Sequence, residues 1–165
     1  MKHKSSGITL IELLVAIAVL AILLGIGVPS FNNVIQNSRS TALANELVTA
    51  LNLARSEAVR RARDVKVCAS TNQATCNGAW DGSSGWIVTL DIAGEDPLRV
   101  WGTPPASVVM AQAGAAGDIT FNALGELSGG ATTLSTHFSG CTGDQARSIN
   151  INASGRISAT RVVCP

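Results

Sequence analysis

The chain has 165 residues, of which 14% are charged and 46% hydrophobic, and its formal net charge is +1. This length fits one domain plus an anchor, and a near-neutral chain lacks an overall field that would steer it onto nucleic acid. Most of the hydrophobic excess lies between Ile8 and Val28, and the remainder is typical of a small domain rich in Ala, Ser, Thr, Asn and Gly. Any binding of nucleic acid must therefore come from a local cluster of positive charge.

The first 28 residues combine a basic start, which contains Lys2 and Lys4, with the apolar stretch Ile8 to Val28. As a helix this stretch would span about 30 Å at about 1.5 Å per residue, which is enough to cross a bilayer. Because basic residues stay cytoplasmic, we expect a single transmembrane pass with the C-terminal domain outside. The small-residue cleavage site of a secretory signal would follow the apolar run, whereas Gly7 precedes it. Cleavage after Gly7 would remove only the basic leader.

Glu12 is the one charge within the apolar stretch. A carboxylate there costs up to about 3 kcal/mol on insertion scales, and such residues are usually functional and paired. If the chain is cut after Gly7, Ile8 carries a free amine one helical turn from Glu12. The amine of a neighbouring subunit could then neutralise the carboxylate during stacking. In a lone subunit, Glu12 is expected to be solvated at the membrane edge.

The segment from Gly7 to Leu14 reads Gly-Ile-Thr-Leu-Ile-Glu-Leu-Leu. It resembles the class III signal of type IV prepilins and type II secretion pseudopilins, in which Phe is usual where this chain has Ile8. The resemblance implies cleavage between Gly7 and Ile8 by a prepilin peptidase, N-methylation of Ile8, and a role of Glu12 in assembly. Pro29 matches the proline that kinks the family's helix beyond the membrane.

The helical pattern continues beyond Pro29, since residues Asn33 to Arg63 contain neither Gly nor Pro. A stripe of apolar residues recurs at spacings of three and four along this segment, at Leu43, Leu47, Leu51, Ala54 and Ala58, which predicts one helix face packed on a sheet. Such a helix far exceeds the average of about 11 residues, and a fibre-core helix explains its length.

After Asp64 the pattern changes to short β-type runs separated by Gly, Asn, Asp and Pro. The predicted runs are Val65–Cys68, Trp86–Leu90, Leu98–Trp101, Val108–Met110, Ile119–Phe121, Ser148–Ile151 and Ile157–Val163, with turns at Asp91–Asp96 and Gly125–Gly130. We expect Trp86 and Trp101 to fill the core. The fold class is therefore α+β, a long N-terminal helix packed on an antiparallel sheet. The chain is divided into a leader (1–7), a transmembrane half-helix (8–28), an outer half-helix (29–63) and a β-rich domain (64–165).

Four cysteines, Cys68, Cys76, Cys141 and Cys164, all lie beyond the apolar stretch. An even count in a small, loop-rich domain predicts two disulfides in an oxidising compartment. We predict Cys68–Cys76 and Cys141–Cys164, although four cysteines allow three pairings. The first spacing is too long for a zinc knuckle and has no histidine beside it, so no metal site is predicted.

Four short segments of the C-terminal part resemble the GspH/FimT-like family of minor pilins and pseudopilins. They are Ala54 to Ala58, Gly85 to Val88 with Asp91, Phe121 to Gly125, and Ser154 to Ile157. The resemblance implies a pilin-like fold and a minor pilin that primes or joins assembly near a pilus tip. It also implies a periplasmic domain on the inner membrane that later enters the extracellular fibre. Its partners would be other major and minor pilins, the prepilin peptidase and the inner-membrane assembly platform.

No enzyme and no cofactor are predicted, because His137 is the only histidine left after processing and no supported catalytic arrangement includes it.

Two other functions remain open. One is DNA binding during natural transformation, which some FimT-like pilins achieve through a Gly-Arg-x-Arg motif. Here Gly155-Arg156-Ile157-Ser158 lacks the second arginine, which leaves Arg147, Arg156 and Arg161 as possible contacts, and we expect binding no tighter than non-specific contact. The other is a type II secretion pseudopilin, against which the cysteines argue mildly.

Overall fold

The structure is a computed structural model that describes residues 9–92, 94–115 and 117–165, and only the backbone of residues 26–30 and 32. The chain divides into two compact units, Met1–Ile35 and Gln36–Pro165. Gly7 and Ile8, the predicted cleavage site, lie outside the described residues. The described part contains one helix, α1 (Leu10–Arg61), which belongs to both units, and eight strands, which all lie in the second unit.

Helix α1 has a defined start and a defined end. At the start, Thr9 acts as the N-cap, because its hydroxyl accepts a hydrogen bond from the Glu12 backbone N–H at 3.3 Å. At the end, the Arg63 N–H donates to the Ala58 carbonyl at 3.2 Å, while Ala62 has a φ of 51°. This is the Schellman arrangement, in which the left-handed position is usually a glycine. The helix therefore ends two residues before the predicted Arg63.

The Met1–Ile35 unit contains the first part of α1, including Pro29 within the helix. Its described apolar side chains are largely exposed, as at Leu10 (76%) and Ile11 (69%). Among the described residues, no helix has the combined length and apolarity required of a membrane span.

The Gln36–Pro165 unit is organised around the apolar stripe of α1. Leu47, Leu51, Ala54 and Ala58 are fully buried, and Leu43 is 7% exposed, which confirms the predicted stripe. They share one core with side chains from both sheets, among them Val67, Val88, Phe121, Leu134 and Ile149. Burying such a stripe is the main source of stability for an amphipathic helix.

The eight strands form two antiparallel sheets of four. They are β1 (Val65–Ser70), β2 (Gly85–Leu90), β3 (Arg99–Trp101), β4 (Val108–Gly114), β5 (Ile119–Phe121), β6 (Thr132–Phe138), β7 (Ala146–Ile151) and β8 (Ile157–Val162). The strand orders are β3-β2-β1-β5 and β4-β6-β7-β8. The α+β prediction is thus confirmed, with two sheets in place of the one expected.

Strand β6 was missed by the sequence prediction, although it occupies the centre of the second sheet between β4 and β7. Its burial alternates strictly, with Thr132, Leu134, Thr136 and Phe138 buried and the intervening residues half-buried. Two of the four inward positions are threonine, so the alternation in hydrophobicity is weak, although threonine is itself favoured in strands. A period-2 search that counted threonine as a strand former would have found it.

The two tryptophans predicted for the core stack across neighbouring strands. Trp86 of β2 is 1% exposed and lies opposite Trp101 of β3, with ring centroids 6.3 Å apart. Trp101 is only half-buried and is covered by the Arg99 guanidinium, 5.0 Å from its ring centroid. Trp86 therefore belongs to the core as expected, whereas Trp101 lies at its edge under a cation–π contact.

Candidate functional site

The described part of the predicted N-terminal signal begins at Thr9. Glu12 lies in the first turn of α1 and its side chain is exposed. A carboxylate in the first turn of a helix is favoured by the helix dipole, so the Thr9–Glu12 pair also serves to start α1. Pro29 lies inside α1, and its role in kinking the helix stays a prediction.

The first disulfide joins Cys68 to Cys76, with Cα atoms 5.5 Å apart. Cys68 lies in the middle of β1 and is fully buried, because the bond fastens the 71–84 loop over the sheet face that α1 does not cover. In the same loop, the Gly78 N–H donates to the Ala69 carbonyl at 3.0 Å. Both central strands are consequently buried on both faces, including all six residues of β2.

The second disulfide joins Cys141 to Cys164, with Cα atoms 6.0 Å apart. It holds the residues after β8 against the β6–β7 loop, where the Cys164 N–H also donates to the Gly143 carbonyl at 2.9 Å. These are the same two pairs that the sequence favoured. Among the described residues one grouping of possible metal ligands occurs, Cys68, Cys76 and Asp118, but a disulfide leaves no thiolate to bind a metal.

Arg147 is a structural residue, in contrast to its predicted availability for DNA. It is 4% exposed, and its Nη1 donates to the carbonyls of Asp144 and Ala146 at 3.1 and 2.9 Å. Its Nη2 donates to Asn37 Oδ1 at 2.6 Å and to Thr41 Oγ1 at 2.9 Å on α1. Burial lowers the pKa of its guanidinium below the usual value, and the charge of Arg161 lowers it further. Arg147 therefore ties strand β7 to the helix.

The other two arginines lie at opposite ends of β8. Arg161 is paired with Arg147 across the β7–β8 ladder, whereas exposed Arg156 lies in the turn between the two strands, where its backbone N–H donates to Asn152 Oδ1 at 2.8 Å. Arg156 and Arg161 are five positions apart, which is about 16 Å along an extended chain. The three arginines that were predicted as possible DNA contacts thus form no common patch.

Three of the short segments quoted above meet at one point. Arg55 of α1 donates from Nε to the Gly125 carbonyl at 3.1 Å and from Nη2 to the Ser154 carbonyl at 3.4 Å. At the same point Gly155 has a φ of +74°, and a Cβ added there would lie 1.9 Å from the Gly125 oxygen. Only glycine fits this crossing of two turns. The sequence analysis did not find this clamp, because the two acceptors of Arg55 are backbone atoms 70 and 99 residues away.

Comparison with known proteins gives a consistent assignment. The family profile described as Type II transport protein GspH matches residues 43–155, and the prokaryotic N-terminal methylation motif matches residues 2–28. No curated protein sequence matches the chain significantly.

Solved structures of two relatives resemble the chain. The type IV minor pilin FimU of Pseudomonas aeruginosa is 27% identical, with a TM-score of 0.61 over 74% of this chain and 89% of that chain. A second crystal form of FimU gives 26% identity and a TM-score of 0.59 over 73% of this chain and 91% of that one. The minor pseudopilin EpsH of the Vibrio cholerae type 2 secretion system shares the fold at 14% identity, with a TM-score of 0.51 over 74% of this chain and 97% of that chain.

The matching family is described as a transport protein and FimU as a minor pilin, which agrees with the expectation that the chain is not an enzyme. The GspH profile covers more than half of the chain, from the apolar stripe of α1 to the Gly155 turn. With its N-terminal methylation motif and pilin-type fold, the chain belongs to the GspH family of pilin-like and pseudopilin-like subunits.

Proposed function

We propose that this chain is a minor pilin that takes part in assembling a type IV pilus near its tip. The observation that carries the proposal is the likeness to the minor pilin FimU, at 27% identity over 89% of that chain. The likeness to EpsH, at 14% identity, supports the fold alone. The clamp at Arg55 and the tie at Arg147 support a role as a rigid building block, because both fasten the sheets to a long helix.

The N-terminal region supplies the assembly chemistry in this proposal. A prepilin peptidase removes residues 1–7 by cutting after Gly7, and the new amine of Ile8 is methylated, in keeping with the methylation motif at residues 2–28. Residues 8–28 anchor the subunit in the inner membrane, with residues 64–165 in the periplasm. At the assembly platform, the Ile8 amine of one subunit neutralises Glu12 of its neighbour, which removes the cost of carrying the carboxylate into an apolar fibre core.

A role as a type II secretion pseudopilin is the second candidate. It is favoured by the description of the matching family as a type II transport protein. A strain that lacks the gene separates the two roles, since a minor pilin is needed for piliation and twitching motility and a pseudopilin for export of secreted enzymes. We expect lost twitching with normal secretion, restored by the wild-type chain. Normal twitching with lost secretion would establish the second candidate instead.

The N-terminal chemistry has a separate test in the complemented strain. Glu12→Val should leave the subunit folded and present in membranes but lower its incorporation into sheared fibres, whereas Glu12→Asp, which keeps a carboxylate, should retain part of it. The mass of the mature chain should correspond to an N-methylated Ile8. Equal incorporation of Glu12→Val and wild type, or a mature N-terminus elsewhere, would remove this part of the proposal.

A further inference from the structure

Strand β8 lies at one edge of the second sheet, and β7 is its only neighbouring strand in the described part of the chain. The turn before β8 shows which of its backbone groups point outward, because the Asn152 N–H donates to the Arg156 carbonyl at 3.1 Å. Hydrogen-bonded and non-hydrogen-bonded pairs alternate along an antiparallel ladder. In the β7–β8 register this alternation turns the N–H and carbonyl groups of Ile157, Ala159 and Arg161 away from β7. Among the described residues, these outward groups have no hydrogen-bond partner.

The other sheet edges are short or already covered. Strands β3 and β5 have three residues each, and the outer side of β5 is occupied by the Ser128 N–H, which donates to the Thr120 carbonyl at 2.9 Å. Along β4, the Met110 N–H donates outward to the Asp81 carbonyl at 3.3 Å. Within the residues that the structure describes, β8 is therefore the long edge that no other segment covers.

Strand β8 also lacks the usual protection of an exposed edge. Such strands commonly carry lysine, proline or a β-bulge. The sequence of β8 contains neither proline nor lysine, and its register with β7 is one-to-one, which leaves no bulge. Its side chains from Ser158 to Arg161 are exposed, so α1 does not cover them. The Cys141–Cys164 disulfide fastens the residues just beyond it, and an edge that is already held in place binds an extended segment at a lower entropic cost.

The charges around this edge favour an acidic partner. The charged residues on β7, on β8 and around the turns that flank them are Arg55, Glu126, Asp144, Arg147, Arg156 and Arg161. They comprise four arginines and two carboxylates, so the edge is positive overall. A second copy of β8, paired antiparallel about Ala159, would place the Arg161 end of each copy beside the Arg156 end of the other, and the like charges would repel. An extended segment with acidic side chains near its two ends would instead be attracted to both.

We propose that β8 accepts an extended segment of a different fibre subunit as a further strand of the second sheet, with acidic side chains of that segment near Arg156 and Arg161. The outward groups of three residues offer up to about six backbone hydrogen bonds. In such strand addition the main chain supplies affinity and the side chains supply specificity. One edge accepts one strand, so the contact joins this chain to a single neighbour, as suits a minor subunit. The inference rests on the proposed function in taking that neighbour from the subunits of the same fibre.

The test is photo-crosslinking in the complemented strain, with a benzophenone amino acid at Val163, which is 70% exposed and lies just beyond β8. We expect an adduct in sheared fibres that joins this chain to a different pilin-like subunit, through a peptide that carries acidic residues. The matched control has the same probe at Val109, which is 40% exposed on β4 at the opposite edge of the sheet. This control should not give the adduct.

Substitutions at Ala159 test whether the main chain makes the contact. Ala159→Pro removes one outward N–H and leaves the bonds to β7 in place, because proline is tolerated where a strand N–H faces solvent. It should lower the yield of the Val163 adduct by about tenfold, since an acceptor of the partner loses its donor. Ala159→Ser keeps the N–H and should give the yield of the parent chain. The urea midpoint of tryptophan fluorescence checks that both variants are folded.

Substitutions at Arg161 test the charge and keep every backbone group. Arg161→Glu should lower the yield of the adduct by about fivefold, because it places like charges together, whereas Arg161→Lys should retain it. Because the new carboxylate lies opposite Arg147 across the β7–β8 ladder, Arg161→Glu keeps the fold even if Ala159→Pro does not.

Four outcomes would overturn the inference: no adduct, an adduct to a second copy of this chain, equal yields from folded Ala159→Pro and Ala159→Ser, or an undiminished yield from Arg161→Glu. Entry into fibres and normal twitching without the adduct would refute the strand addition and leave the proposed function standing. An adduct with these dependences in a strain whose twitching does not require the chain would support the strand addition and refute the proposed function.

Discussion

Arg147→Met should destabilise the Gln36–Pro165 unit by about 3 kcal/mol. Methionine keeps most of the buried aliphatic stem but removes the four hydrogen bonds that the guanidinium donates. The two bonds to Asn37 and Thr41 join β7 to α1 across more than 100 residues of sequence. Hydrogen bonds to a charged group contribute about 1.5 kcal/mol each at the low end of their range, so these two alone account for about 3 kcal/mol.

Two smaller effects act in opposite directions on this estimate. The carbonyls of Asp144 and Ala146 lose a donor, which adds to the loss of stability because Ala146 is buried. Conversely, removal of the Arg147 charge relieves repulsion from Arg161 on the neighbouring strand. Because Arg161 is exposed to solvent, this relief is small, and the estimate stays near about 3 kcal/mol.

The assay is urea unfolding of the detergent-solubilised chain followed by tryptophan fluorescence. Trp80, Trp86 and Trp101 all lie in the Gln36–Pro165 unit, so the signal reports on that unit. With a slope of about 1.5 kcal/mol per molar, typical of small domains in urea, the midpoint should fall by about 2 M. Arg147→Lys keeps the charge but loses the planar fork of donors, so its unfolding midpoint should lie between those of the wild type and Arg147→Met.

The matched control is Arg156→Ala. It also removes an arginine next to β8, but from an exposed turn where the hydrogen bonds of Arg156 are made by its backbone N–H and carbonyl groups, which alanine keeps. This substitution should change the free energy of unfolding by less than about 0.5 kcal/mol. If Arg147→Met is no less stable than Arg156→Ala, the tie between β7 and α1 does not contribute to stability and the reasoning is refuted.

Three further outcomes are expected from the same structure. Ala62→Gly should stabilise the unit by up to about 1 kcal/mol, because glycine adopts the left-handed φ of 51° without strain; an unchanged unfolding midpoint would contradict this. Cys141→Ser with Cys164→Ser should cost about 3 kcal/mol on the chain-entropy account for a separation of 23 residues, and non-reduced peptide mapping of the parent should find this pair. Hydrogen bonds from Arg60 and Arg61 lower the pKa of Glu57 to about 2, so its contribution to stability should be complete above about pH 4.5 and lost as the pH falls to about 2. An NMR titration of Glu57 with a midpoint near 4.5 would refute that pairing.

The function of the chain is inferred mainly from its N-terminal motif and from the short family-like segments of its C-terminal part. The fold shows that three of these segments are in contact. The segments at Arg55, Gly125 and Ser154 lie far apart in sequence, yet they form one clamp at the end of α1. Their shared task in this chain is to fasten two β-turns to a long helix, which is a packing role.

Local patterns determined a large part of this protein from sequence alone. The stripe from Leu43 to Ala58 identified the buried face of α1, because a period of 3.6 residues is set by the helix itself. The runs around Val67, Ile87 and Ile149 identified strands for a similarly local reason, since β-branched and aromatic residues bounded by turn residues favour a strand whichever strand lies beside it. The segment beginning at Gly7 indicated the family, because this motif is a contiguous stretch of sequence and can be recognised without knowing any tertiary contact.

Only the tertiary structure decided which polar side chains are buried in the fold and which are exposed to solvent. Arg147 and Arg161 look alike in sequence, and they lie opposite each other in the β7–β8 register. Arg147 meets Asn37 of α1, whereas Arg161 lies on the edge strand β8 and is exposed to solvent. The choice among three disulfide pairings likewise depends on which loops the two sheets bring together. Register and loop packing join residues up to about a hundred positions apart, and no local periodicity encodes such contacts. For that reason the sequence indicated a pilin-like subunit, while the tie at Arg147 and the clamp at Arg55 became visible only in the fold.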